Sequence, residues 1–126
     1  MIDKRLVKAI HRRLIAVFGG IDGVRDEGLL ESALARPENL QCYNPQCDVF
    51  DKAGTLVFGL IKNHAFVDGN KRVAAVVCEL VLAKEGFCLL PSELEKYNCY
   101  MLLASGDMSE AHFISWLRQS SQRAVN

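Results

Sequence analysis

Between Val73 and Ala83 the chain reads Val-Ala-Ala-Val-Val-Cys-Glu-Leu-Val-Leu-Ala, with Glu79 as its only charge. A segment apolar on almost all sides must be surrounded by the rest of the protein. Its length and its alanines favour a helix over a strand despite the valines, and Gly86 stands where a left-handed C-terminal cap belongs. The chain has 126 residues, 50% of them hydrophobic, which is enough for one sizeable core. The expectation is therefore an all-α fold in which residues 1–126 make a single compact domain of about six helices around a central buried helix.

The flanking sequence supplies those helices. From Asp3 to Phe18, Leu6, Val7, Ile10, Leu14, Val17 and Phe18 recur at helical spacing with cations between them, and Gly19-Gly20 stops the pattern. Asp26 reads as the N-cap of a second helix through Leu29, Leu30, Ala33 and Leu34, expected to finish before Pro37. Glu38 to Gln46 shows no period and reads as a loop, the most mobile segment expected. Asp48 caps a third helix that buries Val49, Ala53, Leu56, Val57, Leu60 and Ile61 and ends near Asn63. After the central helix, Phe87 to Leu90 is the only candidate strand. Ser92 and Glu95 have capping-box spacing for a helix ending near Gly106, and Ser109 opens a last helix through Phe113, Ile114 and Leu117. Ser120 to Asn126 is expected to fray.

Lysines plus arginines number 15 and aspartates plus glutamates 15, so overall charge points to neither a nucleic-acid nor a membrane-surface partner. The N-terminal residues lead into charged, helix-patterned sequence rather than an apolar leader, and no apolar run approaches the roughly 18 residues of a membrane span. A cytoplasmic protein is expected. The 5 cysteines form no C-x-x-C pair and are odd in number, which reads as free thiols in a reducing compartment rather than a zinc knuckle or a disulfide framework.

One segment is neither core nor ordinary loop: His64-Ala65-Phe66-Val67-Asp68-Gly69-Asn70-Lys71-Arg72, immediately before the central helix. If that helix starts near Gly69 or Asn70, its first N–H groups lack intrahelical partners and lie at the positive end of the helix dipole, which makes an anion site. Glycine lets a phosphate approach the backbone, and Lys71 and Arg72 add charge in forms suited to a polyphosphate. Asp68 is the group to hold a magnesium ion beside substrate phosphates. His64 is the residue of this segment able to exchange a proton near neutral pH, the property required of a base acting on a hydroxyl. Phe66 is expected to face inward and anchor the loop.

Taken singly, each residue has a plainer reading: a histidine capping a helix end, an Asp-Gly turn, a solvated pair of cations. Their joint occurrence argues otherwise, because cations at a helix N-terminus oppose the dipole and cost stability unless an anion binds there. His11 and His112 show no carboxylate or cysteine at ligand spacing and read as structural residues. A P-loop, a G-x-G-x-x-G and a serine nucleophile motif are absent from the sequence.

The pattern H-x-F-x-D-G-N-K-R followed by a buried helix resembles the signature of the Fic/Doc superfamily. Upstream, Phe18-Gly19-Gly20 and the stretch from Gly23 to Pro37 look like the corresponding part of death-on-curing toxins, so the resemblance covers nearly the whole chain. It implies a helical Fic fold with the motif as an anion-binding loop and helix start. Superfamily members that transfer a nucleoside monophosphate usually carry G-N-G-R with a second arginine three residues later, where this chain has Lys71 and then Ala75. Those two positions are similar to the Doc branch, which transfers the terminal phosphate of ATP to a protein hydroxyl. Gly69 stands where the best-known Doc pattern has alanine, so the branch assignment rests on Lys71 and Ala75. The branch implies elongation factor Tu as target, arrest of translation as outcome, and inhibition by a Phd-like antitoxin whose C-terminal segment folds into a groove of the toxin. No stretch fits the inhibitory S/T-x-x-x-E-G/N helix of self-restraining Fic enzymes. Nucleoside monophosphate transfer through the same residues, or a non-catalytic module that holds an anion or peptide, are the rival expectations.

Overall fold

The computed structural model describes residues 1–124. Among them are helices α1 (Lys4–Phe18), α2 (Glu27–Tyr43), α3 (Val49–Asn63), α4 (Asn70–Lys84), α5 (Glu93–Ser105) and α6 (Glu110–Ser120), with short strands β1 (Phe87–Leu89) and β2 (Ser121–Arg123). The expected all-α architecture of six helices is present. Each expected N-cap forms its bond: Asp26 accepts from the Leu29 N–H, Asp48 from Asp51, Ser92 from Glu95 and Ser109 from His112. Asp48 and Asp51 also close a reciprocal capping box, so α3 begins with two of its orphan donors satisfied.

The interior is shared by α3 and α4. Helix α3 buries nearly every position from Phe50 to Ile61, packed between α2, α4 and α6. Helix α4, the apolar run, buries Val73, Ala74, Val77, Cys78, Val81 and Leu82 but leaves Val76 exposed beside Lys71 and Arg72. Its open face becomes one wall of the groove described below. Burial pushes the Cys78 thiol up to about 12, so it packs as a neutral, inert group. All five cysteines are free.

Two expectations fail. Helix α2 does not stop before Pro37; it continues to Tyr43, so most of the expected mobile loop is helix. Proline inside a helix removes one hydrogen bond and costs about 3 kcal/mol. That cost is offset by tertiary packing: Leu30, Ala33 and Pro37 are buried, and α2 packs mainly against α3. Arg36 is fastened to the Thr55 carbonyl at 2.9 Å and to both Glu110 carboxylate oxygens at 3.0 and 3.1 Å. The second failure is the tail. Ser121 to Arg123 pairs antiparallel with β1, Phe87 opposite Arg123, whose guanidinium lies 4.8 Å from the Phe87 ring centroid. Val125 and Asn126, also expected to fray, lie outside the described residues.

Close approach of α2 to α3 depends on Gly59. A methyl added there would sit 2.5 Å from Arg36 Cδ and 3.2 Å from Ala33 Cα, and Arg36 is held too firmly by Thr55 and Glu110 to swing aside. Gly59→Ala should therefore lower the unfolding free energy by about 1–3 kcal/mol, read as a shift of the urea midpoint at unchanged m-value. An unshifted midpoint would mean that the two helices can separate without loss.

Candidate active site

The segment from His64 to Gly69 leaves α3, crosses the chain after α1, and turns into α4. Its path is fixed at several points. The Ala65 carbonyl accepts from the N–H groups of Arg25 (2.7 Å) and Asp26 (3.1 Å), and the Val67 N–H donates to the Gly23 carbonyl at 3.1 Å. The Arg25 guanidinium donates to the carbonyls of His64 (2.8 Å) and Asn63 (3.0 Å). A cation there satisfies the free carbonyls of the α3 C-terminus and complements its dipole.

His64 caps α3 in the left-handed conformation, φ 51 and ψ 50, and among the described residues is the only non-glycine with positive φ. Such a conformation costs a non-glycine residue about 1–2 kcal/mol. The cost is met by the Arg25 clamp on its carbonyl, and the effect is to leave the imidazole exposed on the groove wall. Strain held in place by surrounding bonds is a common property of functional positions.

Phe66 is buried, as expected of the anchor, at 1% exposure. Asn70 holds it from above: its Oδ1 accepts from the Phe66 N–H at 3.0 Å and its Nδ2 donates to the Phe66 carbonyl at 2.9 Å. This changes the expected part played by Asn70. Its side chain is buried and committed at both ends to the loop, so what it can offer an anion is its backbone N–H.

Gly69 is the N-cap of α4 at φ 75, with no side-chain capping bond. The helix therefore opens with bare N–H groups, and Lys71 and Arg72 stand in its first turn with no acidic residue beside them. Neither cation has an ion-pair partner among the described residues. The Arg72 guanidinium instead rests 4.5 Å from the ring centroid of the exposed Phe18. Asp68 Oδ1 accepts from the Gly69 N–H at 2.9 Å and Oδ2 from the Ile21 N–H at 3.3 Å. Gly20, expected only as a helix stop, also makes room for this carboxylate: a Cβ there would lie 2.8 Å from Asp68 Oδ2.

His64, Asp68, Gly69, Asn70, Lys71 and Arg72 all line one groove of about 610 Å³. The motif loop and the open face of α4 form one wall. Lys96, Tyr97, Tyr100 and Ala104 of α5 form the other, and Ala75 lies on the α4 side. Lys96 is largely buried between Glu79 (3.0 Å) and Glu93 (3.2 Å). Burial alone would lower its pKa; the two carboxylates outweigh that, and the ammonium is held above its ordinary value. The groove thus has a cationic end at the start of α4 and a charge-paired end at Lys96.

For a divalent ion, the described residues contain no cluster of three or more histidine, cysteine or acidic groups. Asp68 supplies one carboxylate, each oxygen of which has a lone pair beyond its backbone bond. This fits an ion that arrives with substrate phosphates and keeps its waters, as magnesium does.

The expected site missed Arg25, His11 and Asp22. His11 is 2% exposed, stacks on Phe66 with ring centroids 3.9 Å apart, and reaches the Asp68 carbonyl at 2.7 Å. Its lack of a partner in the sequence is corrected by the fold, which also brings Asp22 Oδ1 to 3.7 Å from its Nδ1. His112, by contrast, is exposed on α6 and takes no part in the groove.

A strained histidine and a cation-rich helix start on one groove make a site suited to an anion. A sequence model of the Fic/DOC family matches residues 1–82, and the chain belongs to that family. Over 58 residues it is 48% identical to a protein named Toxin Doc from Mycolicibacterium smegmatis, an alignment that covers 45% of each chain. The chain thus matches a little under half the length of that relative. Over 111 residues it is 28% identical to Protein kinase doc of Escherichia phage P1, covering 88% of this chain and 87% of that one. No helix among the described residues is long and apolar enough to cross a membrane.

Proposed function

We propose that this chain is the toxin of a toxin–antitoxin pair and transfers the terminal phosphate of ATP to a serine or threonine hydroxyl of a protein. The observation that carries the reading is the start of α4: bare N–H groups and two cations without acidic partners, on the same groove as His64. Left empty, that arrangement opposes the helix dipole; a polyphosphate reverses the sign of the interaction. Names of two relatives, Toxin Doc and Protein kinase doc, support the same reading.

In the proposed reaction His64 takes the proton of the target hydroxyl as its oxygen bonds to the terminal phosphorus. The bond from that phosphorus to the bridging oxygen breaks, and nucleoside diphosphate leaves with the electron pair. The open N–H groups from Asn70 onward and the side chains of Lys71 and Arg72 hold the phosphates, and Gly69, whose own N–H is taken by Asp68, lets them approach the backbone. Asp68 would hold magnesium, which when bound neutralises phosphate charge. Catalysis of this kind is mostly positioning and charge stabilisation.

Ala75 lies on the groove three residues after Arg72, so the second guanidinium that monophosphate-transferring members usually carry there is missing. The proposed target is elongation factor Tu, the proposed inhibitor a Phd-like antitoxin, and the proposed compartment the cytoplasm, with residues 1–126 acting as one Fic/Doc domain. Purified protein incubated with elongation factor Tu and ATP labelled either at the alpha or at the terminal phosphate tests the reading. Label is expected on the target from the terminal position. Label from the alpha position would establish nucleotidyl transfer instead, and none from either would leave a binding module.

A further inference from the structure

We infer that His11, on α1, is a positioning residue for the candidate active site: its Nε2–H sets the orientation of the Asp68 peptide, and through it both the Asp68 carboxylate and the entry into α4. The inference rests on the proposed phosphotransfer and adds a residue to it from the opposite end of the sequence.

The geometry is specific. A carbonyl oxygen can only accept, so the 2.7 Å contact to the Asp68 carbonyl places the proton on His11 Nε2. The same ring lies nearly parallel on Phe66, 11° between planes and 3.9 Å between centroids. One imidazole therefore touches the loop on both sides of Val67: by stacking on Phe66 and by hydrogen bond at Asp68. Asp22 Oδ1 lies 3.7 Å from Nδ1, too far for a hydrogen bond, so the Nε2 contact and the stack on Phe66 are what tie the ring to the loop. The remaining neighbours of the Asp68–Gly69 turn cannot replace this bond. Ile15 presents only a methyl, 3.4 Å from where a Gly69 Cβ would lie. The Ile21 N–H and the Gly69 N–H are already donated to the Asp68 carboxylate.

A purely structural histidine would serve equally well if replaced by any group of the same shape. A positioning histidine requires a donor at the Nε2 position. Glutamine can bring its amide N–H close to that point, asparagine only to the Nδ1 position, and phenylalanine keeps the stack without the donor. Displacement of a catalytic loop by about 1 Å can cost on the order of 100-fold in rate.

The test compares wild type, His11→Phe, His11→Gln and His11→Asn for transfer of terminal phosphate from ATP to elongation factor Tu, with affinity for magnesium-ATP and thermal unfolding measured on the same samples. His11→Phe is expected to unfold near the wild-type temperature and to bind magnesium-ATP more weakly than wild type, because the Asp68 carboxylate and the start of α4 lose their set orientation. Its kcat should fall on the order of 100-fold, and His11→Gln should recover at least a tenth of the wild-type rate. Equal activity of Phe and wild type, or no recovery by Gln over Phe, overturns the inference and leaves the functional reading standing. If His11→Phe does not fold, the Gln and Asn variants decide: Gln must exceed Asn about 10-fold in kcat at similar stability, and equality overturns it. Absence of transfer by wild type itself, with no difference from His64→Ala, removes the functional reading and this inference with it.

Discussion

Replacing His64 with alanine should reduce phosphoryl transfer on the order of 1,000-fold, within the span that a positioned general base contributes, while leaving the protein folded. The second half of that expectation follows from the structure. The imidazole is exposed, and no hydrogen bond to it is present among the described residues. The bond that holds this position is made by the backbone carbonyl to Arg25, and alanine retains it. Alanine in the left-handed region is strained by about as much as histidine, so the unfolding midpoint should move by no more than a few degrees. Measured side by side, transfer and thermal unfolding separate the roles. A variant that still modifies its target at the wild-type rate sinks the base assignment, and one that fails to fold shows that the imidazole supports the α3 terminus.

Asn70→Ala should have the largest effect on stability of any change in the motif, even though the residue begins an α-helix that alanine favours. Removing its amide leaves the Phe66 N–H and carbonyl unpaired in a buried setting. Each unpaired group costs about 1–3 kcal/mol, and the two together should take roughly 2–5 kcal/mol from the unfolding free energy. Asn70→Asp should be no better, since a carboxylate can accept from the Phe66 N–H but repels the Phe66 carbonyl. Both variants should bind magnesium-ATP poorly, because Phe66 and Asp68 lose their fixed places. Chemical denaturation checks this directly. If Asn70→Ala unfolds at the wild-type midpoint yet loses nucleotide affinity, Asn70 contacts the ligand rather than the loop.

The two expectations show where a linear reading of the chain succeeds and where it stops. Helix starts were legible because a cap and the N–H it receives are three residues apart: Asp26 with Leu29, Asp48 with Asp51, Ser92 with Glu95 and Ser109 with His112. The motif was legible because its residues are contiguous, and the fold does gather His64, Asp68, Gly69, Asn70, Lys71 and Arg72 on one groove. The work of Asn70 was not, since an amide next to a glycine and a lysine looks like a surface ligand until its buried partner Phe66 is known. Helix α2 was cut short at Pro37 because a local rule cannot weigh the anchoring of Arg36 by Thr55 and Glu110, the latter 74 residues away. Strand β2 has little strand propensity of its own and forms because α6 returns the chain to β1. His11 and Arg25 were missed for the same reason: their partners lie 57 and 39 residues off.

The groove is walled by two stretches of chain that lie well apart in sequence. Its motif loop and the α4 residues Asn70, Lys71, Arg72, Ala75 and Glu79 fall inside the portion matched to the Fic/DOC family, residues 1–82, whereas Lys96, Tyr97, Tyr100 and Ala104 of α5 lie beyond it. The residues proposed to act and the wall that faces them thus sit on different helices. Exchanging α5 between relatives would alter the shape of one wall while the proposed catalytic groups on the other keep their places.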